Sequence, residues 1–277
     1  MVPTIAQALV DARRTLDDID ARALLRHALG ASAADLIAHP DRVLSSAQNA
    51  AFAALVARRC AGEPVAYIIG TREFFSLEFS VTPAVLIPRP DTELLIEFVL
   101  EHITPERAGC VLDLGTGSGC VAISVAKARP RSQVVAVDSS AAALAVARDN
   151  VRRHSADNVE LIAGDWLGAV AGRRFDLIVA NPPYVAAGDP HLTQGDLRFE
   201  PLAALFAGGD GLDCIRLIIA AAPQYLSRGG WLAFEHGYDQ AMRCRELLAR
   251  AGFGGAFTRT DLAGAERVSG GQWVPKC

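Results

Sequence analysis

The chain has 277 residues, of which 51% are hydrophobic and 21% are charged, and its net charge is −4. This length predicts roughly two domains, and the hydrophobic content excludes a disordered chain. The slightly negative charge argues against a protein that holds nucleic acid mainly through its phosphates. No apolar run reaches the length of a membrane span, and Asp11 interrupts the N-terminal stretch where a signal peptide would be apolar. We therefore expect a cytoplasmic protein without a membrane anchor.

The six cysteines are scattered along the chain, and no cysteines or histidines show the close spacing of zinc ligands. In a chain of this length we expect buried thiols, and neither a disulfide framework nor a metal site.

Residues 1–70 are predicted to form a small helical domain. Apolar residues recur at helical spacing, as at Ile5 and Leu9, and Ser45 with Ser46 can cap a further helix. Basic and acidic residues balance at seven each over this range. This balance does not suit a nucleic-acid-binding arm. A helical bundle of this kind most often serves as a partner-binding or lid domain, and we interpret it as a domain that recognises a substrate.

Residues 71–90 are predicted to form a β-hairpin linker, because apolar and polar residues alternate in TREFFSLEFSVTP. The segment LIPRPDTELL then ends the extended stretch and opens a helix, which Asp91 or Thr92 can cap. We place the start of the third part, residues 91–277, at this helix.

Strands and helices alternate after residue 109. The predicted strands are CVLDL, QVVAV, NVELIA, FDLIVA and GWLAFE, and the helices between and after them include one over residues 215–226 and one over 240–252. Short buried strands that alternate with helices indicate an α/β fold with a mostly parallel, Rossmann-like sheet that is covered on both faces.

A glycine-rich motif follows the first of these strands and opens a helix, the context in which such a loop binds a ligand. It runs from Asp113 and contains Gly115, Thr116, Gly117, Ser118 and Gly119. A dinucleotide-binding loop would place its third glycine where Cys120 stands. The spacing instead resembles the cofactor loop of class I S-adenosylmethionine-dependent methyltransferases.

Two further residues follow the next strands. Asp138 can accept hydrogen bonds from ribose hydroxyls, although a plain N-cap role is the alternative. Trp166, next to Asp165, can cover an adenine ring, and packing in the core is the alternative.

The motif Asn181-Pro182-Pro183-Tyr184 comes directly after the strand FDLIVA. The Asn181 amide oxygen and the Pro182 carbonyl are two acceptors, which suit the two donors of an NH2 group. The Tyr184 ring offers a flat face to a planar amide or base. Two acceptors favour a tetrahedral nitrogen whose lone pair faces a methyl donor, so the pattern indicates an N-methyltransferase without a strong base.

The two motifs together do not identify the nitrogen, because adenine-N6 and cytosine-N4 DNA methyltransferases, some RNA methyltransferases and glutamine-N5 protein methyltransferases share them. We keep two alternatives open: a nucleic-acid amino-methyltransferase acting on adenine N6, and a non-catalytic S-adenosylmethionine-binding module. The first lacks a basic target-recognition region here, and the second has no need of an NH2 clamp.

The sequence resembles the PrmC (HemK) family of release factor glutamine methyltransferases over nearly its whole length. The most specific part is the block over residues 62–95. The other matching features are the helical N-terminus, Phe199-Glu200-Pro201, Gly208-Gly209-Asp210-Gly211-Leu212 and Glu235-His236-Gly237.

The resemblance implies S-adenosylmethionine as the methyl donor, S-adenosylhomocysteine as the product, and class I peptide chain release factors as the protein substrate, methylated on the glutamine of a Gly-Gly-Gln loop. It implies that Gly115 to Gly119, Asp138, Trp166 and Asn181 contact the cofactor, and that Asn181 to Tyr184 hold the glutamine. We expect a monomer that keeps no stable nucleic acid.

Several residues have two interpretations. Phe74 and Phe75 can line the pocket or pack in the core, Arg89 can reach a substrate or pair with an acid, and His236 suits a packing or capping role better than that of a base. The chain contains its own Gly270-Gly271-Gln272, for which methylation of the chain itself is an unfavoured alternative.

Overall fold

The computed structural model describes residues 2–190 and 195–275. The chain divides into two compact units. The smaller unit extends to Thr71 and includes the segment that ends at Phe199, and the larger unit holds the rest. The hairpin predicted as a linker belongs to the larger unit from Arg72 onward. The division into a recognition domain, a linker and a catalytic domain stays a prediction.

The smaller unit is helical. It contains α1 (Ile5–Ala12), α2 (Asp18–Leu29), α3 (Ala33–Ala38), α4 (Ser46–Cys60) and α5 (Val65–Ile69). Side-chain oxygens of Thr4, Asp17, Ser32 and Ser45 accept the backbone N–H three residues later and so cap the first four helices. The predicted cap at Ser45 is therefore confirmed. Leu24, Leu25 and Phe52 lie in the buried core of this unit.

The segment before residue 200 joins this unit through a 3-10 helix, Gly195–Phe199. The Arg59 guanidinium donates to Asp196 Oδ1 at 2.7 Å and to Asp20 Oδ2 at 2.6 Å. Arg59 thus bridges a helix of the N-terminal region and a segment more than a hundred residues later in the chain.

The hairpin consists of β1 (Thr71–Phe74) and β2 (Leu77–Ser80). Its two turn residues, Phe75 and Ser76, have φ angles of 49° and 61°, as a tight two-residue hairpin turn requires. Phe74 and Phe79 are buried in the core of the larger unit, with ring centroids 6.2 Å apart.

The larger unit holds a seven-stranded sheet in the order β5-β4-β3-β6-β7-β9-β8. The strands are β3 (Cys110–Leu114), β4 (Gln133–Asp138), β5 (Val159–Ala163), β6 (Phe175–Ala180), β7 (Leu226–Glu235), β8 (Phe253–Thr260) and β9 (Glu266–Trp273). The first five strands in this order pair in parallel, and β9 pairs antiparallel with both neighbours. The mostly parallel sheet predicted from the sequence is confirmed.

Helices α6 (Glu93–His102), α7 (Cys120–Ala128), α8 (Ala141–His154), α9 (Asp213–Ala221) and α10 (Ala241–Arg250) accompany the sheet. Two large apolar clusters lie between the helices and the sheet. Successive residues of one strand belong to different clusters: Val111 of β3 is in the first and Leu112 is in the second. Because successive side chains of a strand point to opposite faces, both faces of this sheet are covered.

Two sequence predictions are wrong in this region. The helix expected over 215–226 ends at Ala221, because Pro223 follows in a 3-10 turn, and β7 begins at Leu226. The C-terminal strands β8 and β9 were not predicted, because their glycines interrupt the apolar alternation that marks a strand. A Cβ atom on Gly270 would lie 2.6 Å from the Phe257 ring, so this glycine makes room for the aromatic side chain.

The predicted helix cap at Asp91 or Thr92 is also wrong. Neither side chain caps α6, which is preceded by a 3-10 turn over Pro90–Thr92. Asp91 pairs with Arg267 at 3.1 Å, and the Thr92 hydroxyl donates to Glu235 at 2.6 Å. The polar side chains at this helix start are used in contacts with the C-terminal part of the chain.

Candidate active site

A cavity lies at the carboxyl ends of the parallel strands, where open α/β sheets bind ligands. It encloses about 1090 Å³, open mouth included, and is formed by residues of the larger unit alone. Eight of the predicted site residues line it: Gly115, Thr116, Gly117, Ser118, Asp138, Trp166, Asn181 and Pro183. Gly119, Pro182 and Tyr184 do not. Another wall is formed by part of the 62–95 block, including Val85 and Thr92, to which the sequence analysis gave no role in the site.

The glycine loop presents backbone to this cavity. Gly115, Gly117 and Gly119 have φ angles of 71°, 55° and 80°, a region that other residues rarely adopt. The Asp138 carboxylate accepts the N–H of Gly117 at 2.8 Å and that of Ser140 at 2.8 Å. The N-cap alternative does not hold for Asp138, because Ser140 is the residue that caps α8. Asp138 therefore fixes the shape of the loop from the neighbouring strand.

Asp113 is a buried carboxyl beneath this loop. It accepts a hydrogen bond from the Thr116 hydroxyl at 2.7 Å. Burial raises the pKa of Asp113 to about 6, against the lowering effect of that hydrogen bond.

Trp166 lies on the cavity wall in a strained backbone conformation, with a φ of 46°. Such conformations in residues other than glycine cluster at ligand sites. The ring also packs against the apolar cluster beneath it, so the packing alternative describes part of its surface. A Cβ atom on Gly115 would lie 3.8 Å from the Trp166 ring and 3.9 Å from the Asn181 carbonyl oxygen, so Gly115 separates the two loops.

The Asn181–Tyr184 motif is held by a chain of buried hydrogen bonds. Asn181 Nδ2 donates to Thr92 Oγ1 at 3.0 Å, and the Thr92 hydroxyl donates to Glu235 Oε2 at 2.6 Å. The other oxygen of Glu235 accepts the Tyr184 hydroxyl at 2.9 Å. One carboxylate thus connects both ends of the motif.

Two groups in this chain of hydrogen bonds, Glu235 and Tyr184, have raised pKa values. Glu235 is 1% exposed, and burial raises the pKa of its carboxyl. The negative charge of Glu235 and the burial of the ring raise the pKa of Tyr184 well above its usual value. The raised pKa of Tyr184 agrees with a neutral phenol that donates to Glu235, and the hydrogen bonds from Thr92 and Tyr184 act against the effect of burial on the Glu235 pKa.

The backbone of the motif is fixed from the opposite side. Gln240 Nε2 donates to the Tyr184 carbonyl at 3.0 Å, and the Gly237 N–H holds the other end of the Gln240 amide at 2.9 Å. Gly211, at a φ of 74°, packs directly against the Tyr184 backbone. A Cβ atom at this position would lie 2.3 Å from the Tyr184 carbonyl oxygen, so only glycine fits without a shift.

The residues with two interpretations mostly take the structural one. Phe74 is buried in the core, and neither it nor Phe75 lines the cavity. Arg89 lines the cavity but forms an ion pair with the buried Glu200. His236 is fully buried, and its ring nitrogens contact the Gly237 carbonyl and the Ser269 hydroxyl. Burial lowers the pKa of His236.

The internal Gly-Gly-Gln segment is part of strand β9. Gly270 and Gly271 pair with Ala233 and Leu232 of β7, and Gln272 Nε2 donates to the Gly229 carbonyl at 2.9 Å. A glutamine held in this way is not presented as a substrate, which argues against methylation of the chain by itself.

Over residues 2–190 and 195–275, no three His, Cys, Asp or Glu side chains are grouped so that they could hold a metal ion. Within the same residues, no helix is long and apolar enough to cross a membrane.

Comparison with known proteins identifies the family. A family model described as the methyltransferase small domain matches residues 91–197, and one described as the PrmC N-terminal domain matches residues 4–70. A release factor glutamine methyltransferase of Xylella fastidiosa is 48% identical over 98% of this chain and 98% of its own. The chain belongs to the release factor glutamine methyltransferase family.

Other release factor glutamine methyltransferases agree with this assignment. One from Burkholderia pseudomallei is 51% identical and covers 93% of this chain and 92% of its own. Among solved structures, a methyltransferase from Pyrococcus furiosus superposes with a TM-score of 0.56 at 19% identity, over 79% of this chain and 98% of its own. The last similarity supports the class I methyltransferase fold alone.

The cavity fits S-adenosylmethionine, the methyl donor of this family. Its walls combine backbone from a glycine loop, a carboxylate at Asp138 and an indole at Trp166. A ligand with an amino-acid part, a ribose and an adenine, and without a phosphate, requires this set of partners. The Asp138 oxygens retain lone pairs beyond those used by Gly117 and Ser140, so ribose hydroxyls can still bind there.

Thr92, Glu235 and Gln240 are the site residues that the sequence analysis missed. Glu235 had a detectable signal, since it is an acid at the carboxyl end of a predicted strand next to the Asn181 strand. Thr92 and Gln240 had none, because they reach the motif from a helix start and a loop distant in sequence.

Proposed function

We propose that this chain transfers the methyl group of S-adenosylmethionine to the side-chain nitrogen of the glutamine in the Gly-Gly-Gln loop of class I peptide chain release factors. S-adenosylhomocysteine is the second product. The observation that carries the proposal is the direction of the Asn181 amide. Its NH2 group donates to Thr92, which leaves the oxygen as an acceptor for a ligand in the cavity that Asn181 lines.

An amide nitrogen is a weak nucleophile because its lone pair is delocalised into the carbonyl. The Asn181 oxygen and the Pro182 carbonyl accept the two hydrogens of the substrate NH2, which favours a tetrahedral nitrogen with its lone pair directed at the methyl group. When bound, S-adenosylmethionine supplies a methyl group on a positively charged sulfur. The nitrogen held by these two acceptors would receive that methyl group, which would leave a neutral thioether on the cofactor, and would then release one proton to solvent.

No strong base is needed for this reaction, and the nearby residues agree with that. His236 is fully buried, and both of its ring nitrogens form hydrogen bonds. Both oxygens of Glu235 already accept hydrogen bonds from hydroxyl groups. Positioning by fixed acceptors is then the main contribution of the protein.

We assign the cofactor roles in the same proposal. The loop from Gly115 to Gly119 holds the methionine part through its backbone, Asp138 accepts the ribose hydroxyls, and Trp166 covers the adenine. Asn181 adjoins both ligands, Pro183 lines the glutamine side of the pocket, and Tyr184 supports the motif through its hydrogen bond to Glu235.

The proposal extends to organisation and partners. Residues 1–70 recognise the release factor, residues 71–90 link, and residues 91–277 catalyse. The enzyme acts as a cytoplasmic monomer and keeps no stable nucleic acid. The net charge of −4 and the balanced charge of residues 1–70 support a protein substrate over a polyanion.

The test offers the purified protein and methyl-labelled cofactor to three acceptors: a class I release factor, the same factor with its loop glutamine replaced by alanine, and double-stranded DNA. We expect label on the unaltered factor alone. Label on DNA, or equal label on both forms of the factor, would contradict the proposal.

A further inference from the structure

We propose that Thr92 and Glu235 form a positioning relay that sets which end of the Asn181 amide faces the substrate. The inference rests on the proposed function, since it concerns the acceptor that holds the glutamine NH2. We assign neither residue a catalytic role. Glu235 does not line the cavity, and Thr92, which does, acts here through its hydrogen bond with Asn181.

The relay begins at the Glu235 carboxylate. This side chain is buried at the end of β7, and each of its two oxygens faces one hydroxyl, from Thr92 and from Tyr184. Both hydroxyls donate to it, one to each oxygen.

Thr92 transmits this direction. A threonine hydroxyl has one proton, and here that proton is used on Glu235 at 2.6 Å. The Thr92 oxygen can then only accept from its remaining neighbour, Asn181. The amide must therefore turn its NH2 group toward Thr92, where the nitrogen lies at 3.0 Å.

The orientation matters because an asparagine amide can flip with little change in shape. Flipped, it would present two N–H donors to the donors of the substrate NH2, and the clamp would fail. The relay excludes the flipped form. In that form the amide oxygen would face the Thr92 oxygen, whose proton is already donated to Glu235, so neither oxygen would have a donor. The same carboxylate holds the Tyr184 hydroxyl, so a single buried charge orients both ends of the motif.

The test compares Thr92→Val, which keeps the shape but removes the hydroxyl, with Thr92→Ser, which keeps the hydroxyl. We expect Thr92→Val to lower kcat on the release factor by roughly 10- to 100-fold, as misplacement of a reacting group does. Its dissociation constant for S-adenosylmethionine should stay within about two-fold of wild type, and Thr92→Ser should recover most of the rate.

A second arm tests whether Thr92 acts through Asn181. In an Asn181→Ala background, Thr92→Val should change kcat by less than about two-fold, because residues that act as a unit are not additive. Glu235→Gln, which has the same shape and can offer an NH2 group to Thr92, should lower kcat in the wild-type background as Thr92→Val does.

A third arm needs no substrate. In 15N-labelled protein, the Asn181 side-chain NH2 signal is assigned by its loss in Asn181→Ala. Thr92→Val should shift that signal, and Thr92→Ser should leave it near its wild-type position. If wild type fails to methylate the release factor, the proposed function falls, and this signal still decides the relay.

The relay is overturned by an unshifted Asn181 signal in a folded Thr92→Val protein. It is also overturned by near-wild-type kcat in that variant, by equal loss in Thr92→Ser, or by a full additional loss in the Asn181→Ala background. Should Thr92→Val not fold, Glu235→Gln is judged by the same signal and the same rates.

Discussion

The two loops that meet at the cavity are built in different ways. The glycine loop of residues 115–119 is shaped by its own backbone angles and by one carboxylate, Asp138, on the next strand. The Asn181–Tyr184 loop is held by side chains from remote parts of the chain: Thr92, Glu235 and Gln240. The first loop faces the proposed cofactor, and the second faces the proposed glutamine.

The two halves of the site can therefore be damaged separately. The glycine loop offers backbone to the cofactor, and Asp138 fixes its shape. A clamp for an NH2 group needs acceptors with a fixed direction, and only buried partners can supply that direction. Changes behind Asn181 should therefore affect turnover, and changes around Asp138 should affect cofactor affinity.

The largest effect is expected from Asn181→Ala. The substitution removes an acceptor for the substrate NH2, so kcat should fall by at least ~100-fold, by analogy with the removal of an aimed polar group. Much of the cofactor affinity should remain. Steady-state methylation of the release factor, with calorimetric binding of S-adenosylmethionine as the control, checks both. Near-normal turnover would refute the clamp.

A smaller loss is expected from Gly211→Ala, which contacts neither ligand. The new Cβ atom would lie 2.3 Å from the Tyr184 carbonyl oxygen and 2.7 Å from Gln240 Nε2, at a φ that alanine rarely adopts. The motif must shift, and we expect kcat to fall roughly 10- to 30-fold, since small misplacements are costly. Gly209→Ala is the matched control in the same loop, because no atom lies within 4 Å of a Cβ there.

The opposite pattern is expected from Asp138→Asn. An amide can offer only one oxygen, so one of the two backbone N–H groups of Gly117 and Ser140 loses its acceptor. Cofactor affinity should weaken about 10-fold, the equivalent of one hydrogen bond, with kcat nearly unchanged. Asp149→Asn, an exposed acid of the same unit, is the control, and an unaltered dissociation constant for Asp138→Asn would refute the assignment.

The last prediction concerns stability, not activity, and the buried Asp113. Its pKa is raised by burial from 3.8 to about 6, so folding favours the protonated form. That contribution to stability is complete below about pH 4 and is lost as the pH rises through 6. Relative to wild type, Asp113→Asn should therefore gain up to roughly 3 kcal/mol in unfolding free energy between pH 4 and pH 7. Urea titrations at both pH values measure this difference, and a constant difference would contradict it.

The same contrast explains how much of the site could be predicted from the sequence. Asp138 and Asn181 were identified because each directly follows a strand, and the carboxyl ends of parallel strands meet at one edge of a sheet. Thr92 and Glu235 are 143 residues apart, and their hydrogen bond depends on how α6 and β7 pack. Local patterns carry no information about such a pair.

The fold shows the same limit at two hairpins. The β1–β2 hairpin was predicted from its alternation, although its turn uses Phe75 and Ser76 where glycine or asparagine is usual. The β8–β9 pair was missed because its glycines break the apolar alternation, and one of them, Gly270, is required by close packing against Phe257 and β7. Tertiary contacts, and not local preference, decide both cases.

The separability of the two loops is tested most directly by measuring kcat and the S-adenosylmethionine dissociation constant for Gly211→Ala and Asp138→Asn side by side. We expect Gly211→Ala to lose turnover and keep its affinity, and Asp138→Asn to lose affinity and keep its turnover. Proportional losses of both quantities in both variants would contradict the account.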